Sequence, residues 1–200
     1  MTQQTAGRRV VTNMSLSLDG HYGGPGDARD MAWVMPYAVT DVARDHLTAL
    51  WEPATTALLG RVNAEGFLGF WPTVIGMAGA DPRDEAFAKW LVDTDKVVLS
   101  ATLDEAPWER TTIVDKPTAE AVADLKATEG GDILVLSSAS VIKALLAADQ
   151  VDRLALTIFP VFLGGGPRLF DDGLPAGRWE LVSQRAGEHG TLALVYDRAR

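Results

Sequence analysis

The sequence contains no cysteine, which excludes disulfide bonds, thiol catalysis and thiolate metal sites. Its only histidines are His21, His46 and His189, and they are too scattered to show a metal-ligand spacing, so we expect no metal site. No apolar run approaches the roughly 20 residues that a membrane helix needs. The first nine residues lead into an alternating strand and not into the apolar core of a signal peptide. We therefore expect a soluble, cytoplasmic protein that does not bind membranes.

Basic residues are also scarce. The chain has 18 Lys and Arg against 27 Asp and Glu, a net charge of -9, which argues against the broad basic surface that nucleic acids require. Hydrophobic residues make up 47% of the 200 residues, enough to bury a sizeable core, and no linker divides the chain. We expect residues 9–200 to form a single domain, preceded by a flexible tail at residues 1–8.

Short apolar segments alternate with segments of helical periodicity along most of the chain. This alternation favours a parallel sheet covered on both faces, and three final strands favour an antiparallel edge. The sequence therefore predicts a three-layer α/β/α domain with a mostly parallel mixed sheet. Strands are predicted at residues 11–18, 56–59, 96–100, 111–114, 133–136, 153–162, 179–185 and 192–197, and helices at 40–51, from near 63, 85–92, 119–127 and 140–148.

Ligands of open α/β sheets bind beyond the carboxyl ends of the parallel strands. One such end is followed by Gly60, Arg61 and Asn63. Asn63 can cap the next helix, whose N–H groups favour an anion, and the guanidinium of Arg61 suits a phosphate. The alternative is a tight turn with a solvated arginine.

Small hydroxyl residues follow two further strands. Ser137, Ser138 and Ala139 come after the most apolar strand, where they can bind a pyrophosphate or simply cap a helix. Ser100 follows another strand, where it can meet a nucleotide or start a turn. The residues alone leave both choices open.

The first predicted strand ends in Ser-Leu-Asp-Gly, and Asp19 is the only carboxylate at that end. An Asp-Gly pair is usually a turn. Trp33, in the loop of residues 20–36, is an apolar body with one N–H donor and often covers a site in such a place. Gly164 and Gly165 interrupt an apolar segment, mainly for conformational reasons, with close ligand approach possible. The sequence has no nucleophile elbow, Walker loop or dinucleotide fingerprint.

Taken in order, these segments resemble the reductase (C-terminal) domain of the bacterial riboflavin-biosynthesis deaminase-reductase, a branch of the dihydrofolate reductase fold. The resemblance extends over about residues 9–198, and we expect a stand-alone member because no deaminase domain precedes it. The matching segments are residues 17–20, 58–61, 96–100, 130–135, 146–156 and 160–170, together with Trp33.

The resemblance implies a reductase that transfers a hydride from NADPH to a small pterin- or pyrimidine-like heterocycle. By resemblance, the site residues fall into three groups. Gly60, Arg61 and Asn63 would lie by the ribose 2′-phosphate, Ser137, Ser138 and Ala139 in the pyrophosphate turn, and Ser100 at the adenine. Asp19 and Trp33 would border the nicotinamide and the substrate, with water or Asp19 assisting protonation.

Some family features are missing. The pyrophosphate turn is usually glycine-rich, and Val62 and Ala101 stand where cations are common. NADH, a flavin or a deazaflavin therefore stay open as cofactors, as does a non-catalytic nucleotide- or metabolite-binding protein. We also expect a homodimer. Phe159, Phe162 and Phe170 either pack against a two-fold partner or, in the interpretation we prefer, fill the core.

Overall fold

The computed structural model describes residues 7–27 and 30–200. The strands are β1 Val10–Ser17, β2 Ala54–Gly60, β3 Asp95–Leu99, β4 Thr111–Val114, β5 Asp132–Leu136, β6 Arg153–Phe159, β7 Arg178–Ala186 and β8 Leu192–Ala199. The helices are α1 Met35–Ala38, α2 Asp41–Trp51, α3 Arg61–Phe70, α4 Pro82–Asp93, α5 Thr118–Lys126 and α6 Ala139–Ala147. Short 3-10 turns lie at Ala32–Val34, Trp71–Val74 and Glu188–Gly190.

All eight strands form one sheet in the order β4-β3-β2-β5-β1-β6-β8-β7. The first six pair in parallel, and β8 and β7 add an antiparallel edge. One face packs against α5 and α6, where Ile142 and Leu145 meet Ile133. The other face packs against α2, α3 and α4, where Leu50 and Leu68 join the core. The predicted three-layer mixed fold is confirmed.

Element boundaries differ from the predictions where a local cap or a proline decides them. α4 begins at Pro82, three residues earlier than predicted, because the side chain of Asp81 accepts a hydrogen bond of 2.9 Å from the N–H of Arg83. β6 ends at Phe159 and not at residue 162, because Pro160 has no N–H to continue the ladder.

The flexible tail predicted at residues 1–8 extends too far, because Arg8 is part of the folded domain. Residues 1–6 lie outside the described residues, but Arg8 is only 7% exposed and donates five hydrogen bonds. Its acceptors include the carbonyls of Leu125 and Gly131. A flexible end at Arg8 is therefore wrong: the buried guanidinium ties the start of the chain to the turn after α5.

The three phenylalanines considered for a partner surface behave differently. Phe159 is 1% exposed and belongs to the core, as expected. Phe162 is 75% exposed and Phe170 is also exposed, so the core interpretation is wrong for both. The homodimer stays a prediction. In the part of the chain that the structure describes, no helix is both long and apolar enough to cross a membrane.

Candidate functional site

Two helices begin side by side at the carboxyl ends of the parallel strands, which we call the carboxyl edge of the sheet. α3 follows β2, α6 follows β5, and these two strands are neighbours. The N–H of Gly60 donates to Ser138 Oγ at 3.0 Å, and Asn63 Nδ2 donates to the Ser137 carbonyl at 2.9 Å. These two bonds hold the two helix starts together.

Both helix starts lack the groups that usually satisfy a helix N-terminus. Neither α3 nor α6 has a side-chain cap or an acidic residue in its first turn. The other helices of the described residues with at least two turns have one or the other: Asp41 in α2, Asp81 at α4 and Glu120 in α5. The free N–H groups of α3 and α6 and the positive ends of their dipoles therefore favour an anion between them.

Arg61 is the first residue of α3, where a cation is electrostatically unfavourable unless an anion is nearby. Its side chain is 44% exposed, and Nη1 lies 2.9 Å from Glu65 Oε1 on the same helix. Such an exposed pair contributes only about 0.3–0.5 kcal/mol. The guanidinium can therefore exchange Glu65 for a phosphate at little cost.

Three predicted contacts take a different form in the structure. Asn63 does not cap α3, because the helix already begins at Arg61 and the amide reaches across to Ser137. The hydroxyl of Ser138 donates to the Leu136 carbonyl at 2.9 Å and accepts from Gly60, so it is not free for a pyrophosphate. The hydroxyl of Ser100 accepts from two N–H groups of the following turn. These side chains make hydrogen bonds within the protein, and their contact with a cofactor stays a prediction.

The turn between β5 and α6 has an unusual backbone. Ser137 has a φ of 46°, in the left-handed region that favours glycine, and its N–H donates to the Asn13 carbonyl at 3.0 Å. Ala139 is buried and offers only its backbone at the helix start. Ser140, predicted as the start of the helix and not as a site residue, is exposed near Gly60: a Cβ on Gly60 would lie 3.7 Å from Ser140 Oγ.

Asp19 fastens two loops together. Its Oδ1 accepts from Ser17 Oγ at 2.6 Å and from the N–H of Leu163 at 3.2 Å, and its Oδ2 accepts from the N–H of Gly164 at 2.8 Å. These bonds, led by that from Ser17, lower the pKa of Asp19 well below its usual range. A carboxylate so bound stays ionised near neutral pH, and the assistance of Asp19 in protonation stays a prediction.

His21 is a second component of this junction, and the sequence interpretation read no role in it. Its buried ring places Nδ1 at 2.7 Å from the Gly166 carbonyl and Nε2 at 3.6 Å from Asp19 Oδ2. Nε2 also lies 3.4 Å from Arg168 Nε, so a proton on Nδ1 satisfies both ring nitrogens. The sequence feature that could have pointed to His21 was its position two residues after Asp19.

The glycine loop after β6 packs closely at only one position. A Cβ on Gly166 would lie 2.3 Å from the Gly23 carbonyl oxygen, so only glycine fits there. Gly164 has a φ of +70° and open space on its Cβ side, whereas a Cβ on Gly165 would be 3.2 Å from Pro25. Gly164 therefore has a glycine conformation with open space beside it, and Gly165 faces protein; ligand contact at either glycine stays a prediction.

Aromatic rings cover the end of β6. Trp33 packs edge-on against Phe159 with centroids 6.0 Å apart, and Tyr37 stacks on Phe159 at 5.2 Å. Phe159 is the register partner of Ser17 on β1. Trp33 Nε1 and Asn13 Oδ1 are buried without a hydrogen-bond partner, so polar groups are available on this side of the sheet. Within the described ranges, no cluster of three acidic or histidine side chains could hold a metal.

A family model for the RibD C-terminal domain matches residues 8–193. The chain belongs to the RibD C-terminal domain family. A comparison with curated proteins gave no significant match. The fold of this RibD C-terminal domain is that of the dihydrofolate reductases, as the resemblance implied.

Three solved structures illustrate the likeness. A proposed riboflavin biosynthesis protein from Shewanella sp. PV-4 has a TM-score of 0.71 at 22% identity, covering 96% of this chain and 99% of that chain. The Thermotoga maritima deaminase and 5-amino-6-(5-phosphoribosylamino)uracil reductase has a TM-score of 0.65 at 13% identity, covering 96% and 57%. Dihydrofolate reductase from Enterococcus faecalis, complexed with NADP(H), has a TM-score of 0.59 at 20% identity, covering 96% and 97%.

Proposed function

We propose that this protein is a nicotinamide-dependent reductase that uses NADPH to reduce a small pterin- or pyrimidine-like heterocycle. The observation that carries the proposal is the pair of uncapped helix starts, α3 and α6, held together at the carboxyl edge. Their N–H groups fit a pyrophosphate, and Arg61 fits the 2′-phosphate that distinguishes NADPH from NADH. Membership of a reductase family supports the same assignment.

The aromatic residues supply the wall of the substrate site in this proposal. Trp33, Tyr37 and Phe159 form a packed group at the end of β6, beside the polar residues of β1. A flat heterocycle fits against such a wall, and the unpartnered Trp33 Nε1 can donate to one of its acceptors after a small movement. Gly164 leaves room at the opposite loop.

NADPH, when bound, would supply the hydride, and the protein would supply orientation and exclusion of solvent. Asp19 keeps its negative charge and, together with His21, fixes the loop that contains Gly164 and Gly166. We therefore propose that the proton comes from water and that Asp19 acts by positioning that loop.

The test is an equilibrium titration of purified protein with NADPH and NADH, followed by tryptophan fluorescence. Replacing Arg61 with alanine removes the only contact proposed for the 2′-phosphate. We expect NADPH to bind at least about tenfold more weakly and NADH to bind as before, since a charge-assisted phosphate contact contributes roughly 1.5–3 kcal/mol.

Glu65→Gln is the matched control, because it frees the guanidinium of Arg61 from its present partner. NADPH binding should then be unchanged or slightly tighter. Equal loss of NADPH and NADH in the Arg61 variant would remove Arg61 from the proposed role, and no binding of either nucleotide to the wild type would refute the cofactor site.

A non-catalytic nucleotide-binding protein is the second candidate. The lowered pKa of Asp19, which keeps its carboxylate ionised, favours this candidate specifically. NADPH binding without oxidation across a panel of dihydropterins, pterins and aminopyrimidines would support this candidate. Oxidation of NADPH with any of these compounds would exclude it.

A further inference from the structure

A second concave site lies between the end of α6 and the antiparallel strands. It is a cavity of about 450 Å³, bordered by Leu146 of α6, Leu154 of β6 and Trp179 of β7, with residues 170–172 and 174–177 on its other side. Pockets that bind small molecules usually measure about 300–1,000 Å³. The cavity is therefore large enough for a ligand of one or two rings.

This cavity is separate from the candidate active site. Leu154 lies near the amino end of β6, and Phe159 lies five residues later at its carboxyl end. At about 3.3 Å per residue, the two positions are roughly 17 Å apart. Side chains alternate along a strand, so Leu154 and Phe159 also point to opposite faces of the sheet. Leu154 joins the core on the face covered by α5 and α6.

The walls of the cavity are mainly apolar and aromatic. Leu146, Val151 and Leu154 form one wall, and Phe170 and Trp179 supply rings. Leu154 is buried, Trp179 is half-buried, and Phe170 is exposed. An aromatic ring beside aliphatic side chains suits a flat molecule that stacks on one face.

One cationic group on the wall has unused hydrogen-bond donors. Arg198 Nε donates to Asp149 Oδ1 at 2.6 Å, and Nη1 donates to the carbonyls of Arg178 and Ala199. Its Nη2 makes no hydrogen bond to any of the residues that the structure describes. The guanidinium also lies over the ring of Trp179, with Cζ 5.8 Å from the centroid. Arg198 is thus held in place with one edge free to donate.

The charges around the cavity favour an uncharged ligand. Asp149 is paired with Arg198, and Asp171 is paired with Lys143. Asp172 also borders the cavity and forms no ion pair or hydrogen bond with the described residues. The remaining negative charge disfavours an anion, while the carboxylate of Asp172 can accept from a ligand N–H.

We propose that this cavity is a second ligand-binding site, which takes a flat, uncharged heterocycle with a carbonyl group and a ring N–H. The ring stacks on Trp179, the carbonyl accepts from Arg198 Nη2, and the ring N–H donates to Asp172. The site does not depend on the reductase assignment, because Trp179 and Arg198, which would hold the ligand, lie beside the amino end of β6.

The experiment is a calorimetric titration of the full chain with lumazine, a pteridine dione of the required chemistry. Trp179→Leu removes the stacking face and Arg198→Lys removes the planar donor, and each should weaken binding at this site at least about fivefold. Trp179→Phe keeps a ring and should cost less than about threefold. Arg178→Lys, whose side chain does not border the cavity, is the matched control and should bind as the wild type does.

Lumazine can also bind at the candidate active site at the carboxyl edge. Trp33→Leu weakens binding at that site alone and so distinguishes it from the second site. Binding that is lost in Trp33→Leu but unchanged in Trp179→Leu would overturn the proposal. A nuclear magnetic resonance measurement on the wild type guards against variants that fold poorly: the indole N–H signal that disappears in Trp179→Phe should shift when lumazine is added. An unshifted signal would also overturn the proposal.

Discussion

The ends of helices are satisfied differently at the two ends of the parallel strands, the amino edge and the carboxyl edge. At the amino edge, the ends of helices meet cations: Lys96 Nζ donates to the carbonyls of Leu91, Val92 and Thr94 at the end of α4. Arg8 likewise donates to the Leu125 carbonyl of α5. At the carboxyl edge, α3 and α6 begin with no capping side chain and no acidic residue.

The difference separates groups that stabilise the fold from groups that await a ligand. A cation at a helix C-terminus offsets the negative end of the dipole within the protein itself. An uncapped helix start leaves N–H donors that only solvent or a ligand can satisfy. We expect substitutions at the amino edge to change stability and substitutions at the carboxyl edge to change binding.

The largest effect is expected from Arg8→Met. The change leaves buried acceptors such as Thr56 Oγ1, at 2.5 Å from Nη2, without a donor. We expect the free energy of unfolding to fall by about 3 kcal/mol, measured by urea denaturation. Arg9→Met is the control, because Arg9 is more exposed and, among the described residues, pairs only with Asp132. Its loss should cost clearly less than the loss of Arg8, because the Arg9 side chain is 45% exposed and serves one partner, and equal effects would contradict the burial argument.

An acid-sensitivity measurement tests a buried group that belongs to neither edge. His46 on α2 is buried, and burial lowers its pKa from 6.5 to about 4, with the nearby Arg185 contributing. Between these two values the unfolded chain binds the proton and the folded chain does not, so stability falls as pH falls through that window.

Because of this histidine, we expect the free energy of unfolding to fall by about 2 kcal/mol when the pH is lowered from neutral to one unit above the pKa of His46 in the folded protein. Urea denaturation at the two pH values measures the loss. His46→Leu should remove most of it, and an unchanged loss in this variant would assign acid sensitivity to other groups.

Ser140→Asp tests the carboxyl edge directly. A carboxylate in the first turn of α6 satisfies the helix start and should raise stability by about 0.5 kcal/mol. The same charge should weaken NADPH binding about tenfold by repelling the pyrophosphate. Fluorescence titration and thermal unfolding measure the two effects. Gln184→Glu, an equal charge change on exposed β7, is the control, and unchanged NADPH affinity in Ser140→Asp would argue against a phosphate site here.

The smallest effect is expected from Ser137→Gly. Glycine relieves the left-handed conformation at a φ of 46°, but it also increases the entropy of the unfolded chain. We expect a net gain of less than about 1 kcal/mol in calorimetric unfolding, with NADPH bound equally well or better. A clear loss of stability would show that the serine side chain has a role of its own.

The sequence predicted the layers and the order of elements because those features depend on local periodicity. It also placed Gly60, Arg61 and the segment 137–139 at one edge, since parallel strands end there together. It did not predict that the hydroxyl of Ser138 would accept a hydrogen bond from the N–H of Gly60, a residue 78 positions away. The clamp made by Asp19 on Gly164 spans 145 positions. Such pairs depend on how strands align in three dimensions, which local pattern does not encode.

The central place of β1 has a consequence for synthesis on the ribosome. The first strand to emerge pairs with β5 and β6, whose residues begin at Asp132 and Arg153. At roughly 5–20 residues per second, β1 therefore waits on the order of ten seconds before a neighbour exists. Nascent chains that stop before β5 should expose an apolar, unpaired strand and engage chaperones, while longer ones should not.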